Sequence, residues 1–150
     1  MRSFADTSFL CALYRAQDNS ERALAHRGRM IGPLTVSRLL LWEFRQAVRF
    51  QVFRFSKDRK AGYPLKEAEK MIADLTDDLQ TGLVILAEFD MISILARGEQ
   101  LSKKHTPSGG HRGFDILHVA TALEGRATEF LTFDANQTAL AKSAGLATLL

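Results

Sequence analysis

The sequence predicts an α/β protein, a three-layer α/β/α sandwich whose helices cover both faces of a central, mostly parallel sheet. Short apolar runs typical of strands alternate along the chain with longer segments of helical periodicity, and parallel strands need such helical crossovers. No internal repeat, low-complexity tract or Pro/Gly-rich linker divides the 150 residues, a length typical of one ordinary domain. We therefore expect a single domain over residues 1–150.

The sequence pattern also places the individual elements. Strands are predicted over residues 3–6, 33–36, 83–85, 129–133 and 147–150. Helices are predicted over residues 8–15, 20–29, 37–53, 64–81, 91–103, 114–124 and 137–144. The clearest amphipathic pattern is that of residues 64–81. Residues 106–113, which read Thr-Pro-Ser-Gly-Gly-His-Arg-Gly, are predicted to form a loop because Pro and Gly disfavour a continuing helix.

The composition is that of a globular chain. Hydrophobic residues make up 46% and charged residues 25% of the sequence, and these values are typical of neither disordered proteins nor membrane proteins. No apolar run approaches the roughly 20 residues of a membrane span, and the N-terminal segment lacks the apolar stretch of a signal peptide. Cys11 is the single cysteine, which excludes an internal disulfide. We expect a cytoplasmic protein without membrane association. The net charge of +3 permits a polyanionic partner without requiring one.

Acidic residues lie where a parallel sheet usually binds ligands, which is at the carboxyl ends of its strands near a change in strand order. Asp6 ends the first predicted strand, and Asp134 follows the fourth. Asp115 begins the helix that precedes the fourth strand, and Glu43 lies in the helix that follows the second. We therefore treat these four acids as candidate site residues.

Glu43 is predicted to lie among apolar residues. At about 100° per residue, its face of the helix also carries Leu39, Leu40, Ala47 and Phe50. The opposite face carries Arg38, Arg45 and Arg49. A carboxylate buried without a partner is costly, so Glu43 must meet a metal ion, a network of donors or an arginine.

The other three acids also have purely structural interpretations. Asp6 suits the N-cap of the following helix, Asp115 is a favourable charge in the first turn of its helix, and Asp134 forms a capping box with the Gln three residues later. His118, one turn after Asp115, is more typical of packing or capping than of chemistry. Asn136 can cap the last helix or face the same pocket. The residues alone leave these alternatives open.

Taken together, the four acids predict a shared metal site at one edge of the sheet. Their mutual repulsion has to be neutralised, and oxygen-only ligands suit Mg²⁺ or Mn²⁺ rather than zinc. Divalent ions held by carboxylates activate water and stabilise charge in phosphodiester hydrolysis. This chemistry needs no serine or cysteine nucleophile, and the sequence offers no convincing catalytic triad.

Four short motifs contain the acids: Asp6-Thr7-Ser8 at the first strand, Glu43 in the third helix, Asp115 in Phe-Asp-Ile-Leu-His-Val-Ala-Thr-Ala, and Asp134 in Leu-Thr-Phe-Asp. Each motif is short, but their order and spacing extend over the whole chain. In that order and spacing the sequence resembles the PIN domain, and more narrowly the VapC-type toxins of bacterial toxin–antitoxin modules.

The resemblance implies an α/β/α fold with a Mg²⁺- or Mn²⁺-dependent endoribonuclease site. It makes Asp6 and Asp115 the expected metal ligands, with Glu43 and Asp134 completing the cluster through water or a second ion. Small polar residues at three positions match those that orient the acids: Thr7, Ser8 and Thr132. The resemblance also implies a homodimer and inhibition by a small antitoxin protein.

Two basic surfaces are candidates for RNA binding. The first is the predicted loop before Asp115, where Lys103, Lys104 and Arg112 are expected to contact phosphates. The second is the side of the third helix opposite Glu43, where aromatic residues interleave with arginines and are able to stack on bases. The alternative is a solvated helix face whose aromatic residues lie in the core or at a dimer interface: Trp42, Phe53 and Phe55.

Three functional hypotheses follow. The first is a ribonuclease toxin or a related nuclease. The second is a phosphohydrolase of the aspartyl-phosphate type, which usually has a second Asp where Ser8 stands. The third is a non-catalytic binding module whose acids serve only as helix caps. A real metal site predicts that added divalent ions stabilise the fold, since they relieve the repulsion between the acids.

Overall fold

The structure is a computed structural model that describes residues 2–149. Within this range the strands are β1 (Ser3–Ala5), β2 (Leu34–Ser37), β3 (Val84–Ala87), β4 (Glu129–Leu131) and β5 (Ala147–Thr148). The helices are α1 (Thr7–Tyr14), α2 (Ser20–Arg29), α3 (Arg38–Lys57), α4 (Leu65–Thr81), α5 (Met91–Gly109), α6 (Gly113–Glu124) and α7 (Ala135–Ser143). The predicted alternation of strands and helices is confirmed, and residue 150 of the predicted fifth strand lies outside the described range.

The strands form one parallel sheet, as predicted, and their order in it is β3-β2-β1-β4-β5. β1 is the central strand, and its Phe4 is aligned with Thr35 of β2 and with Phe130 of β4. The chain builds outward from β1 to β3 and then returns to the other side of β1, so the strand order changes direction between β1 and β4. The carboxyl ends of these two strands are therefore the expected place for a ligand.

Helices cover both faces of the sheet, because successive residues of a strand point to opposite sides. Ala5 and Leu131 pack into a core with residues of α1–α4, whereas Phe4 and Phe130 pack into a second core with residues of α5–α7. The first core includes Phe9, Phe44, Val48, Met71 and Leu75. The second includes Ile94, Val119, Ala122 and Leu140. The predicted three-layer α/β/α sandwich is confirmed.

The prediction of a loop over residues 106–113 is wrong for its first half. Helix α5 continues to Gly109, with Pro107 inside its last turn. A proline this close to the end costs the helix little more than one backbone hydrogen bond. The helix stops at Gly110, which has a φ of 65° and whose N–H donates to the Thr106 carbonyl at 2.8 Å. Helix α3 is also longer than predicted and ends at Lys57 instead of residue 53.

The four helices that follow a strand each begin with a capping side chain. Asp6 caps α1, Ser37 caps α3, Asp90 caps α5 and Asp134 caps α7, each by accepting a backbone N–H of the first turn. The capping roles predicted for Asp6 and Asp134 are therefore confirmed. Because the caps stand between strand and helix, they fix both acids at the carboxyl edge of the sheet.

Candidate active site

The four predicted acids line one cleft of about 260 Å³. They come from four different places in the chain: Asp6 precedes α1, Glu43 lies on α3, Asp115 lies on α6 and Asp134 precedes α7. The cleft is at the carboxyl ends of β1 and β4, where the strand order changes direction. The topology thus brings together side chains that are far apart in the sequence.

A larger cavity of about 450 Å³ lies at the opposite ends of these strands. There Glu129 accepts a hydrogen bond from Ser3 at 2.6 Å and faces His26 at 3.1 Å. Among residues 2–149, Glu129 is the only acid that lines this cavity. A single carboxylate gives a divalent ion little to bind, so the smaller cleft is the candidate site.

Asp6 is held by neutral donors on what we call the β1 wall, formed by Asp6, Ser8 and Thr132. The Thr132 hydroxyl donates to Asp6 Oδ2 at 2.6 Å and the Ser8 hydroxyl to Oδ1 at 2.7 Å, and the Phe9 N–H also donates to Oδ1 at 3.0 Å. Only 4% of Asp6 is exposed. This burial raises its pKa above the ordinary value, although all three hydrogen bonds act in the opposite direction.

Glu43 is held by two side chains from other helices. The Thr7 hydroxyl donates to Glu43 Oε2 at 2.6 Å, and His118 Nε2 lies 2.5 Å from the same oxygen. Burial by itself raises the pKa of Glu43, but the hydrogen bond and charge of His118, the Thr7 hydroxyl and the charge of Arg112 outweigh it, so its pKa is lowered. The partners that the sequence demanded for Glu43 are thus a histidine and a hydroxyl, not an arginine.

The predicted position of Glu43 on its helix needs a correction. The buried residues of α3 are Leu40, Leu41, Phe44 and Val48, whereas Phe50, which was expected to share the buried face, is 53% exposed. The Glu43 side chain is 25% exposed and lies at the border of the buried face. It therefore opens into the cleft instead of pointing into the core.

Asp115 is held by a cation on what we call the α6 wall, formed by Arg112 and Asp115. Arg112 Nε donates to Asp115 Oδ2 at 3.0 Å. The Arg112 side chain is 76% exposed, while only 7% of Asp115 is. Asp115 raises the pKa of Arg112 through this hydrogen bond and its charge, and the charges of Asp134 and Glu43 act in the same direction. Arg112 is therefore a counter-charge for the acids of the cleft.

Asp134 combines a structural role with a place in the cleft. It accepts the Gln137 N–H at 2.8 Å, and its own N–H donates to the Thr132 hydroxyl at 3.0 Å. Gln137 also lines the cleft and is 2% exposed, yet its Nε2 has no hydrogen-bond partner within residues 2–149. The backbone half of the predicted capping box is thus formed, while the Gln137 side chain is turned to the cleft.

The predicted supporting and RNA-binding residues are only partly brought together. Thr7, Ser8 and Arg112 line the cleft. Asn136 is exposed and does not line it, and neither do Lys103 and Lys104, which are exposed on α5. The two lysines were placed beside the acids because the segment after them was predicted to be a loop, but it continues the helix.

Sequence reasoning gave too little weight to His118 and did not select Gln137. His118 is three residues after Asp115, a spacing that puts both on one side of α6. That spacing was the available signal for His118. The partner that draws it into the site, Glu43, is 75 residues away in the chain. For Gln137, the capping box accounts for the residue by itself, so nothing in the sequence indicates that its side chain also lines the cleft.

The donor set fits a hard divalent cation. Four carboxylates and one guanidinium line the cleft, and carboxylate oxygens are the preferred ligands of such ions. Within residues 2–149, no three His, Cys, Asp or Glu side chains are grouped as a ready-made metal site. Each acid is instead hydrogen-bonded by its own neighbours. A cation that takes Asp115 as a ligand has to share this carboxylate with Arg112 or displace it.

Comparison with known proteins identifies the family. The family model for the PIN domain matches residues 3–143. The chain belongs to the PIN domain family. Comparison with curated protein sequences gave no significant match. None of the helices within residues 2–149 of this PIN domain is long and apolar enough to cross a membrane.

Solved structures share the fold of this PIN domain. VapC20 of Mycobacterium tuberculosis, described as a sarcin–ricin loop cleaving toxin, has a TM-score of 0.64 and 19% identity, covering 91% of this chain and 93% of its own. FitAcB of Neisseria gonorrhoeae has a TM-score of 0.61 and 18% sequence identity, and the match covers 97% of this chain and 95% of that one. VapBC-1 of nontypeable Haemophilus influenzae has a TM-score of 0.62 and 13% sequence identity, and the match covers 99% of this chain and 96% of that one. At these identities the similarity establishes the fold alone.

Proposed function

We propose that this PIN domain is a metal-dependent endoribonuclease and the toxin of a toxin–antitoxin module. The observation that carries the proposal is the convergence of Asp6, Glu43, Asp115 and Asp134 on one cleft at the change in strand order. Membership of the PIN domain family supports nuclease activity. The similarity to VapC20, described as a toxin that cleaves the sarcin–ricin loop, supports RNA as the substrate.

Mg²⁺ or Mn²⁺, held by Asp6 and Asp115 with Glu43 and Asp134 beside them, would supply an activated water and neutralise charge on the phosphodiester. The residues of the chain prepare the cleft for this. Ser8 and Thr132 fix the orientation of Asp6. His118 and Thr7 keep Glu43 ionised and in place.

Arg112 has a second task in this proposal. Its side chain is largely exposed, so little packing holds it against Asp115. With a metal ion bound among the acids, the guanidinium would be able to pair with a phosphate oxygen of the RNA, for which its planar fork of donors is well suited. The same side chain thus balances the acids before binding and the phosphates after it.

The test is cleavage of a structured RNA by purified protein with Mg²⁺, with Mn²⁺ and with a chelator. Asp6→Asn is expected to lower the cleavage rate by more than about 100-fold, since even outer partners of metal ligands are worth 10- to 100-fold. Asp90→Asn is the matched control, because Asp90 caps α5 in the same way but is exposed and outside the cleft. Its cleavage rate is expected to equal that of the wild type.

Three results contradict the proposal. Cleavage that persists in Asp6→Asn, or in the chelator, shows that another nuclease is responsible. An absence of cleavage, together with no change in melting temperature on adding Mn²⁺, favours the non-catalytic binding module whose acids act only as caps. Hydrolysis of a generic phosphomonoester without RNA cleavage favours the phosphohydrolase.

The toxin role, the antitoxin partner and the homodimer are tested in cells and in solution. Expression of the wild type is expected to arrest growth, whereas expression of Asp6→Asn does not. Co-expression of the cognate antitoxin, sought as a short reading frame next to this gene, is expected to restore growth. Sedimentation measures whether the purified chain is a dimer. A nuclease without growth arrest would be a PIN nuclease outside toxin–antitoxin modules.

A further inference from the structure

Three rings form a column that runs from the protein surface to the acidic cleft. The Trp42 and Phe114 ring centroids are 5.8 Å apart at an interplanar angle of 32°. Those of Phe114 and His118 are 6.3 Å apart at 26°. Both separations lie within the range of stacked or offset aromatic pairs. We call Trp42, Phe114 and His118 the aromatic column.

The inner end of the column is part of the candidate site. His118 is 4% exposed and contacts Glu43, and Phe114 directly precedes Asp115 on α6. Trp42 directly precedes Glu43 on α3. Two of the four acids are therefore next in sequence to a ring of the column. A group that rests on the column lies beside the cleft.

The outer end of the column is open to solvent. Trp42 is 56% exposed and Phe114 is 41% exposed. A single exposed aromatic residue is common on protein surfaces, but two large rings that pack against each other at an angle of 32° beside a polar cleft present an apolar surface that water solvates poorly. Such a surface suits a planar ligand.

The charge around the outer end favours a polyanion. Arg45 and Arg49 are three and seven residues after Trp42, which places them on the same side of α3. Neither arginine has an ion-pair partner among residues 2–149. Arg112, on the cleft side, is 76% exposed. An exposed ring flanked by unpaired cations is the combination with which proteins hold single-stranded nucleic acids.

We propose that Trp42 and Phe114 form a stacking site for an unpaired base of the RNA, next to the phosphodiester in the cleft. The proposal rests on the proposed function and adds to it the two side chains that hold a base beside the cleaved bond. A base inside a duplex is already stacked on both faces, whereas an unpaired base offers a free face to Trp42. Arg45 and Arg49 then contact the backbone of the same strand.

The chain contains a single tryptophan, so its intrinsic fluorescence reports on Trp42 alone. The experiment titrates the wild-type protein, in chelator to prevent cleavage, with a short single-stranded oligoadenylate. The same strand annealed to oligouridylate serves as the duplex. Stacking of a base on the indole is expected to quench the fluorescence with the single strand, and the duplex is expected to quench little.

Variants measure how much the stacking contributes. Trp42→Ala is expected to weaken binding of a labelled single strand by about 10- to 100-fold, the range for one stacked base. Trp42→Phe keeps a ring and is expected to retain most of the affinity. Phe53→Ala is the matched control, since Phe53 is 54% exposed on the same side of α3 but lies three turns further from the cleft. It is expected to bind like the wild type.

Several results would overturn the proposal. They are the absence of quenching, equal quenching by the duplex, and an equal loss of affinity in Phe53→Ala, which would assign binding to the whole exposed side of α3. A dimer that Trp42→Ala converts to a monomer would show that a second copy covers the column. Cleavage of RNA without quenching would contradict only this inference, and quenching without any metal-dependent cleavage would contradict only the proposed nuclease.

Discussion

On the β1 wall of the cleft a carboxylate is held by hydroxyl groups and a backbone N–H, whereas on the α6 wall a carboxylate is held by a guanidinium. Asp6 and Asp115 are almost equally buried, but their partners differ, since Thr132 is 0% exposed and the Arg112 side chain is 76% exposed. Neutral, buried donors fix an acid in one orientation. An exposed cation balances an acid and is able to leave it. The comparison teaches that the β1 wall fixes the orientation of a carboxylate, whereas the α6 wall balances the negative charge of a carboxylate with a cation that is able to leave.

The sharpest way to break the β1 wall is Thr132→Val, which keeps the shape and removes the hydroxyl. The Thr132 hydroxyl donates to Asp6 and accepts the Asp134 N–H, so the change leaves two polar groups unsatisfied. We expect a loss of about 1–3 kcal/mol in the free energy of unfolding. At about 2–4 °C per kcal/mol, thermal denaturation in chelator detects it.

Thr121→Val is the control for this loss. Thr121 is 1% exposed, and its hydroxyl donates only to the Leu117 carbonyl within α6. Thr121→Val is expected to lower the free energy of unfolding less than Thr132→Val does, because the Thr121 hydroxyl donates to no acid. Equal melting temperatures for the two variants would show that the Thr132 hydroxyl does not support the cleft.

A smaller effect, of opposite sign, is expected from Asp6→Asn. Because burial raises the pKa of Asp6 above 3.8, the folded state holds this proton to a higher pH than the unfolded state. The contribution of Asp6 to stability is therefore full below its ordinary pKa and is lost as the pH rises through the folded pKa. At neutral pH the ionised Asp6 destabilises the fold, and Asn relieves this.

The measurement is the melting temperature of Asp6→Asn and wild type in chelator, from acidic to neutral pH. The variant is expected to be the more stable at neutral pH, with the difference vanishing below pH 3.8. Mn²⁺ is then expected to stabilise the wild type and not the variant. A variant that is less stable at neutral pH would show that the hydrogen bonds to Asp6 outweigh its burial.

The smallest effect on stability is expected on the α6 wall, from Arg112→Gln. An ion pair with so exposed a cation contributes no more than about 1 kcal/mol, so the melting temperature in chelator should change little. The affinity for Mn²⁺ is expected to rise several-fold, because the cation that competes for Asp115 is gone. Calorimetric titration with Mn²⁺ measures this, and an unchanged or lower affinity would refute the role of Arg112 as a counter-charge.

The parts of the fold that the sequence predicts are those governed by local periodicity. The amphipathic pattern of α4 and the short apolar runs of the strands locate the elements to within a few residues. The end of α5 was wrong because Pro107 and the two glycines after it suggest an early stop, while packing of α5 against α6 continues the helix to Gly109. Tertiary contacts override local preference at such ends.

The candidate site divides in the same way. Asp6 and Asp134 are predictable because each is a cap between a strand and a helix, a pattern that needs only neighbouring residues. The contacts that hold the acids together cannot be predicted from neighbouring residues, because Thr132 is 126 residues from Asp6 and His118 is 75 residues from Glu43. Such pairs depend on strand order and on the packing of α3 beside α6, which no local pattern encodes.

The pairing of β1 with β4 has a consequence for the order in which the protein matures. Asp6 is synthesised well before the hydroxyl that orients it, because Thr132 lies 126 residues further along the chain and Asp134 follows just after it. A nascent chain that ends before β4 holds Asp6 without its partners and has no complete cleft. The set of acids is therefore complete only after β4 has been synthesised and has taken its place beside β1.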